Sequence, residues 1–263
     1  MKALIDGDIL CYEIGAASEV GWSGEEYSPS SPPWEYVASL LDSRLQQLCL
    51  EAKADSYQIY LTGKNNFRYS IYPLYKANRK DIEKPFHHNN IKVHLIGQYQ
   101  AEVVDGMEAD DALSIAQCQA LDRCEETIIC TRDKDLRMVP GWHYSWEIGK
   151  QPSWGPYYVV DPGYLCLSQG KAKKLNGTGL MWFYAQMLTG DRVDNIPGLP
   201  GVGPVKAYNL LQGAETDKEA LDIVYDQYHC KYGQEAEEQM ELMGRLLWMM
   251  REENRMWDIE LLQ

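Results

Sequence analysis

The sequence has no long apolar run, no closely paired cysteines and little positive charge. No stretch approaches the length of a membrane span, which excludes a membrane-spanning segment. Only three apolar residues separate Lys2 from Asp6, so we expect no signal peptide. The seven cysteines form no Cys-x-x-Cys pair and are odd in number, and we therefore expect reduced thiols in a cytoplasmic protein.

Acidic residues outnumber basic ones, giving a formal net charge of −14, which argues against nonspecific polyanion binding over the whole surface. One segment reverses this balance, because residues 64–92 carry a net +5 with only Asp81 and Glu83 as acids. Its cations are Lys64, Arg68, Lys76, Arg79, Lys80, Lys84 and Lys92. Charge segregated in this way indicates a local basic face.

Predicted strands alternate with predicted helices along the first two thirds of the chain. Apolar runs at 3–5, 57–61 and 127–130 predict buried strands, and residues 34–54, 87–100 and 181–188 predict helices. Residues 19–33 predict an exposed loop, and residues 140–164 an irregular or hairpin segment. We therefore expect an α/β fold with a mostly parallel central sheet flanked by helices, and a ligand crevice beyond the carboxyl ends of its strands.

Carboxylates gather at four predicted element boundaries. They are Asp6 and Asp8; Glu108, Asp110 and Asp111; Asp133 and Asp135; and Asp191 and Asp194. Ordinary helix capping explains the second group when it is considered alone. If the groups converge, however, like charges a few ångströms apart cannot all stay ionised without compensation, and a divalent cation is the usual remedy. The pattern thus predicts a metal site made only of carboxylates.

Two further segments have the chemistry of nucleic-acid contacts. In the hairpin at 195–207, Gly201 and Gly203 would let a phosphate backbone approach, and the next helix would offer N–H groups beside Lys206. A purely structural turn between two helices is the alternative. Aromatic and cationic residues at 67–68 and 75–80 suit an unstacked base and its phosphate, although a solvated basic helix end would have the same composition.

Five motifs occur in the order seen in the flap endonuclease/5′→3′ exonuclease family, which the chain resembles over residues 1 to 210. They are Asp6-Gly7-Asp8 and residues 75–79, 108–111, 131–135 and 190–198. The family includes the 5′-nuclease domain of bacterial DNA polymerase I and free-standing bacteriophage exonucleases. The size, and the absence of a polymerase region, most resemble a phage enzyme, which would act in the host cytoplasm.

The resemblance implies an architecture and an activity. A PIN-like nuclease core would span residues 1–179 with a basic arch at about 64–100, and a helical DNA-binding subdomain would span 180–263 with a helix–hairpin–helix at about 181–212. The implied reaction is phosphodiester hydrolysis near 5′ ends, flaps, nicks or single-strand/duplex junctions of DNA, or of RNA/DNA hybrids, in replication or repair. Two divalent ions, Mg²⁺ or Mn²⁺, would serve it, with a potassium ion in the hairpin.

The resemblance also assigns residues by motif. The metal-site acids would be Asp6, Glu108, Asp110, Asp111, Asp133, Asp135, Asp191 and Asp194. Asp6, Asp110, Asp133, Lys76 and Arg79 would be catalytic, the last two as cations on the scissile phosphate. DNA would be bound by Arg68, Tyr75, Lys76, Arg79, Lys80, Gly201, Gly203 and Lys206, with Tyr75 as a stacking residue.

One departure from the family pattern leaves the two-metal stoichiometry open. Many relatives have an aspartate at the end of the second strand, where this chain has Leu61-Thr62-Gly63. The site would then hold one cation more loosely, or a water or the Thr62 hydroxyl would replace the carboxylate.

Two other classes of protein are alternatives to the nuclease. An Asp-x-Asp phosphatase would need the motif at 190–194 to follow a strand, but here it follows a predicted helix. A catalytically impaired DNA-end-binding module is suggested by the missing acid and opposed by the eight acids that are retained.

Overall fold

The computed structural model describes residues 1–22 and 31–259. Within them the chain forms two compact units, each assembled from three segments. The first unit contains Met1–Asn66, Ile82–Arg132 and Trp142–Tyr157. The second contains Phe67–Asp81, Asp133–Gly141 and the chain from Tyr158 onward. The domain boundary expected at residues 179 and 180 lies within this last segment and stays a prediction.

Nine helices and ten strands are found among the described residues. The helices are α1 (Gly7–Trp22), α2 (Trp34–Glu51), α3 (Phe67–Ile71), α4 (His88–Tyr99), α5 (Ala109–Asp122), α6 (Gly179–Thr189), α7 (Pro204–Leu211), α8 (Asp217–Tyr232) and α9 (Ala236–Leu247). The strands are β1 (Lys2–Asp6), β2 (Ser56–Thr62), β3 (Glu102–Val104), β4 (Thr127–Cys130), β5 (Gly141–Ser145), β6 (Trp154–Val159), β7 (Tyr164–Leu167), β8 (Leu175–Thr178), β9 (Gly190–Asp191) and β10 (Ile196–Pro197). None of these helices is long and apolar enough to cross a bilayer.

The first unit is built on a six-stranded sheet in the order β3-β2-β1-β4-β5-β6. The pairs β1–β2, β1–β4, β2–β3 and β4–β5 are all parallel, which confirms the predicted mostly parallel sheet. The central strand β1 carries Ala3, Leu4 and Ile5, all buried, as expected for a strand covered on both faces. Because β1, β2 and β4 run in the same direction, their carboxyl ends lie at one edge of the sheet.

Helices α1, α2 and α4 contact one another beside this sheet. The apolar side chains of α2 at helical spacing, Val37, Leu41, Leu45 and Leu48, are buried in a core shared with Ala3 and Ile5 of β1. Helix α5 contacts β1, β2 and β4. These contacts fix the helix beginnings that follow β1 and precede α5, where the acidic motifs lie.

The second unit surrounds helix α6. Residues 179–188 of α6 are buried on every side, which is the pattern of a helix at the centre of a core. Helices α7, α8 and α9 contact it, and so does the antiparallel β7–β8 hairpin. The two-residue strands β9 and β10 connect α6 to the segment before α7. The predicted helical region after residue 180 is therefore present.

Some predicted boundaries were wrong. Helix α1 continues through Trp22, so residues 19–22 are helical, while residues 23–30 of the predicted loop lie outside the described part of the chain. Helix α2 ends at Glu51 rather than residue 54. Residues 140–164 contain β5, β6 and the start of β7, and β5 and β6 are adjacent in the sheet, in keeping with the hairpin alternative of the prediction. Every residue of β5 except Trp142 is buried.

Candidate functional site

Asp6 ends the central strand of the first unit, and its carboxylate is enclosed. The residue is 2% exposed; Oδ1 accepts the Ile9 amide at 3.1 Å and Oδ2 accepts the Thr131 hydroxyl at 2.7 Å. Gly7 follows because a Cβ there would lie 2.7 Å from the Tyr60 carbonyl oxygen. The Asp6 side chain is thus fixed between the ends of β1 and β4.

Thr62 ends the neighbouring strand β2, at the position where the family pattern described above has an aspartate. Its amide donates to Asp8 Oδ2 at 3.0 Å, and its hydroxyl oxygen accepts the Ala109 amide at 2.9 Å. Thr62 therefore joins the first turns of α1 and α5. The assignment of site residues by motif left Asp8 out, although the charge pattern had grouped it with Asp6 at the end of the same strand.

Glu108 and Asp111 form a capping box at the beginning of α5. The Glu108 side chain accepts a backbone N–H of the first turn, and Asp111 Oδ2 accepts the Glu108 amide at 3.2 Å. Glu108 and Asp111 are 7% and 0% exposed. Asp110 lies outside the box and is half-buried. The ordinary capping explanation thus applies to Glu108 and Asp111, and it does not account for Asp110.

In the second unit, Lys134 bridges two buried carboxylates. Its Nζ donates to Asp135 Oδ1 at 2.9 Å and to Asp191 Oδ2. Asp133 Oδ1 accepts the Asp135 amide at 2.8 Å, and the Gln186 amide nitrogen donates to Asp135. Of the four predicted acids in the second unit, Asp135 and Asp191 thus already share a cationic partner, Lys134.

Burial raises the pKa of Asp135 to about 8, and the nearby Asp133 and Asp191 add to this rise. Burial acts in the same direction on Asp191, but the Lys134 ammonium outweighs it and lowers the pKa of that carboxyl below its ordinary value. Burial would lower the pKa of Lys134, yet Asp135 and Asp191 raise it. The Lys134–Asp191 pair is therefore charged at neutral pH.

Asp194, also in the second unit, is contacted by three side chains of the predicted motif at residues 75–79. Tyr75 donates its hydroxyl to Asp194 Oδ2 at 3.0 Å, Lys76 Nζ lies 3.6 Å from the same oxygen, and Arg79 pairs with Oδ1. The Lys76 amide donates to the Asp194 carbonyl at 2.9 Å. The structure thus places both predicted phosphate-binding cations, Lys76 and Arg79, on this carboxylate.

Two residues expected to contact DNA are enclosed instead. Arg68 is 0% exposed and donates to the carbonyls of Leu246 and Trp248, at 2.9 and 2.7 Å. Tyr75 is 2% exposed, so its ring offers no face for a base. Their burial contradicts the predicted contacts with DNA. Lys80 is exposed and remains available for such a contact.

The predicted hairpin forms between α6 and α7. Gly190, at φ +68°, and Gly198 lie against each other, because a Cβ on Gly190 would be 2.3 Å from the Gly198 nitrogen. Gly201 and Gly203 differ, since a Cβ at either position would meet nothing within 4 Å. Both are exposed, as is Lys206 in the first turn of α7. The hairpin therefore has one tightly packed glycine pair and one open pair.

Among the described residues, no three histidine, cysteine, aspartate or glutamate side chains form a ready-made metal-binding group. Hydrogen bonds and ammonium groups hold the predicted ligands instead. Two observations nevertheless fit a cation at Asp135 and Asp191. Lys134 already supplies positive charge there, and the buried Gln186 Oε1, beside Asp135, has no hydrogen-bond donor in the described chain. The donor set consists of oxygen atoms, which suits Mg²⁺ or Mn²⁺.

A model of the 5′-3′ exonuclease N-terminal resolvase-like domain matches residues 3–142, more than half of the chain. The chain belongs to this family. The thermostable DNA polymerase I of Thermus aquaticus is 30% identical to it over 215 residues, covering 80% of this chain and 23% of that protein. The corresponding polymerase of Thermus thermophilus is 29% identical over 218 residues, with the same shares. The chain thus spans about a quarter of the length of these relatives.

Solved structures agree with the family at the level of the fold. A bacteriophage T5 flap endonuclease, in a complex with DNA and metal ions, aligns with a TM-score of 0.59 at 16% identity, covering 95% of this chain and 89% of that one. The T5 protein crystallised with metal ions gives a TM-score of 0.58 at 15% identity, with the same coverage of both chains. At these identities the likeness establishes the α/β nuclease-type fold of the chain.

Proposed function

We propose that the chain is a divalent-metal-dependent 5′ nuclease that hydrolyses phosphodiester bonds near 5′ ends or single-strand/duplex junctions of DNA, in replication or repair. The observation that carries this proposal is family membership combined with an enclosed carboxylate, Asp6, at the carboxyl end of the central parallel strand. The substrate class and the cofactor are supported by the T5 flap endonuclease, whose solved structure is a complex with DNA and metal ions.

The ligands that we propose are carboxylates in both units. In the first unit they are Asp6, Glu108, Asp110 and Asp111, and in the second they are Asp133, Asp135, Asp191 and Asp194. Asp110 is the strongest candidate of the α5 group, because the capping box occupies Glu108 and Asp111. When bound, two Mg²⁺ or Mn²⁺ ions would lower the pKa of a water and neutralise charge on the phosphate.

The chain's own cations would stabilise charge on the reacting phosphate. Asp194 holds Lys76 and Arg79 in place, and Arg79 is 38% exposed, so its guanidinium can share a phosphate oxygen without leaving the carboxylate. The hairpin would hold duplex irrespective of sequence, since Gly201, Gly203 and the first turn of α7 offer open backbone and no base-reading side chain.

A labelled 5′-flap duplex, incubated with and without Mg²⁺, tests the proposal. We expect Asp110→Asn and Asp133→Asn each to reduce the cleavage rate by at least about 100-fold, a typical loss for groups that stabilise the transition state. DNA binding, measured by fluorescence anisotropy in EDTA, should stay near wild type. Asp122→Asn, an exposed change at the end of α5, is the matched control for Asp110→Asn.

Undiminished turnover in both variants would refute the assignment of these acids. Binding of the flap duplex without cleavage by the wild-type protein in Mg²⁺ would favour the catalytically impaired DNA-end-binding module. The phosphatase alternative is disfavoured because Gly190 and Asp191 follow helix α6 rather than a buried strand. A cytoplasmic location is part of the proposal, and it is supported by the seven cysteines, none of which forms a disulfide in the described part of the chain.

A further inference from the structure

The ammonium group of Lys134 lies between two carboxylates that have almost no access to solvent. Asp135 is 8% exposed and Asp191 is 4% exposed. Nζ donates to one oxygen of each, at 2.9 Å for Asp135. In a poorly solvated environment a charged carboxylate is unfavourable without a compensating charge, and the nearest cation has the largest effect. Here that charge is a lysine from the same motif, Asp133-Lys134-Asp135.

The backbone and the ring of a tryptophan hold Lys134 in this position. Trp182 donates its indole N–H to the Lys134 carbonyl oxygen at 3.0 Å, and Nζ lies 6.0 Å from the centre of the same ring. Helix α6 therefore supplies both the support for the lysine and, one turn later, the Gln186 side chain that reaches Asp135. Because α6 is buried throughout, this arrangement is part of a rigid core.

The atoms around the ammonium are those that a hard divalent cation prefers. They are carboxylate oxygens of Asp135 and Asp191 and, beside them, the buried Gln186 Oε1, which no donor in the described chain satisfies. An unsatisfied buried oxygen costs free energy, and a cation would relieve that cost. The lysine and a divalent ion would thus seek the same oxygens.

We infer that Lys134 is a built-in competitor of the divalent ion: its ammonium donates to both Asp135 and Asp191 and balances the charge of Asp191, and an ion binds there only by displacing it. This inference rests on the proposed metal dependence and adds a regulation of that site. The lysine keeps the second unit stable without metal, and the same contact weakens metal binding, since the two cations compete for one pair of oxygens. Occupancy at this pair then follows the free metal concentration.

Lys134→Met, which keeps the length of the side chain and removes its charge, tests the competition without DNA or turnover. We expect the Mn²⁺ affinity at this pair, measured by calorimetry or electron paramagnetic resonance, to rise about tenfold, as removal of a close competing charge should produce. In EDTA the variant should melt at a lower temperature than wild type, and Mn²⁺ should stabilise it more than it stabilises wild type. Lys134→Arg, which restores a cation, should return both quantities towards wild type.

Lys174→Met provides the matched control, because Lys174 is an exposed lysine of the same unit with no acidic partner in the described chain. It should change neither the Mn²⁺ affinity nor the melting temperature in EDTA. If Lys134→Met does not fold without metal, Lys134→Gln replaces it, because a neutral amide can still donate to one carboxylate. Equal or weaker Mn²⁺ binding by the folded Lys134 variant overturns the inference. A wild-type protein that binds no Mn²⁺ at all would instead contradict the proposed metal dependence.

Discussion

At the scale of the residue, Arg68 shows how a cation can be used for structure. The last carbonyls of a helix have no partners within the helix and carry partial negative charge. Arg68 donates to the carbonyl of Leu246, in the last turn of α9, and to that of Trp248, just after it. Its guanidinium is fully buried and lies 4.6 Å from the Phe67 ring centre. Arg68 therefore closes the C-terminal end of α9.

Replacing Arg68 should destabilise the folded protein, because contacts within the chain are lost and not a contact with DNA. We expect Arg68→Leu to lower the free energy of unfolding by about 3 kcal/mol, because buried carbonyls lose their donors. Urea unfolding followed by tryptophan fluorescence measures this change. Arg255→Leu is the control: that exposed residue pairs with Glu252 at the surface and should cost no more than about 0.5 kcal/mol. Equal stability of the two variants would contradict a structural role for Arg68.

The roles of single residues were the part of the site that sequence predicted least well. The strand-end position of Asp6 follows from an apolar run and the rule for parallel sheets. The burial of Arg68 depends on contacts made 178 and 180 residues later in the chain, which no local pattern reveals. The joining of Asp8 and α5 by Thr62 is of the same kind.

At the scale of the element, the hairpin between α6 and α7 contains glycines in two different environments. A Cβ on Gly198 would lie 2.2 Å from the Thr189 carbonyl carbon, so this position admits only glycine. Gly203, the residue before α7, has extended backbone at φ −98° and open space around it. Packing therefore accounts for the first glycine and leaves the second unexplained, unless a ligand approaches it.

Alanine at these two positions should separate folding from binding. We expect Gly198→Ala to cost more than about 2 kcal/mol of stability, since backbone must move to relieve the clash. Gly203→Ala should change stability by less than about 0.5 kcal/mol and, under the proposed function, weaken duplex binding about tenfold by preventing close approach of a phosphate. Thermal melts and anisotropy titrations with a duplex measure both quantities. Unaltered binding by Gly203→Ala would remove this face from the DNA contact.

Elements were predicted more successfully than side chains. Strand β4 begins and ends where its apolar run does, and the buried positions of α2 are those of the helical period. The short hairpin β7–β8 was missed, because four-residue strands with half-exposed faces have no distinct alternation. Helix α1 extends into the loop predicted at residues 19–33, because its last turn includes residues of loop-like composition.

At the scale of the whole molecule, the seven cysteine thiols should divide into reactivity classes. Burial, followed by the charge of Asp8, raises the pKa of Cys11 to about 12, and burial raises that of Cys130 further. At pH 8 a thiol with a pKa near 12 is only about one part in 10⁴ thiolate, the reactive form. The exposed cysteines are Cys124, Cys166 and Cys230.

Alkylation of the native protein at pH 8, read by mass spectrometry, should therefore modify these three cysteines first. Cys11 and Cys130 should react only after denaturation, and the half-buried Cys49 and Cys118 at intermediate rates. Complete labelling of all seven positions in the folded protein would contradict the burial of Cys11 and Cys130.

The distance along the chain between Arg68 and its acceptors has a consequence for biosynthesis. At about 5 to 20 residues per second, a ribosome needs roughly 10 to 40 seconds to add the 178 residues that separate Arg68 from Leu246. During that interval the Arg68 guanidinium has no carbonyl acceptors and stays hydrated, since burying an unpaired charge costs free energy. We therefore expect the second unit to complete its fold only late in translation, when the carbonyls at the end of α9 first become available.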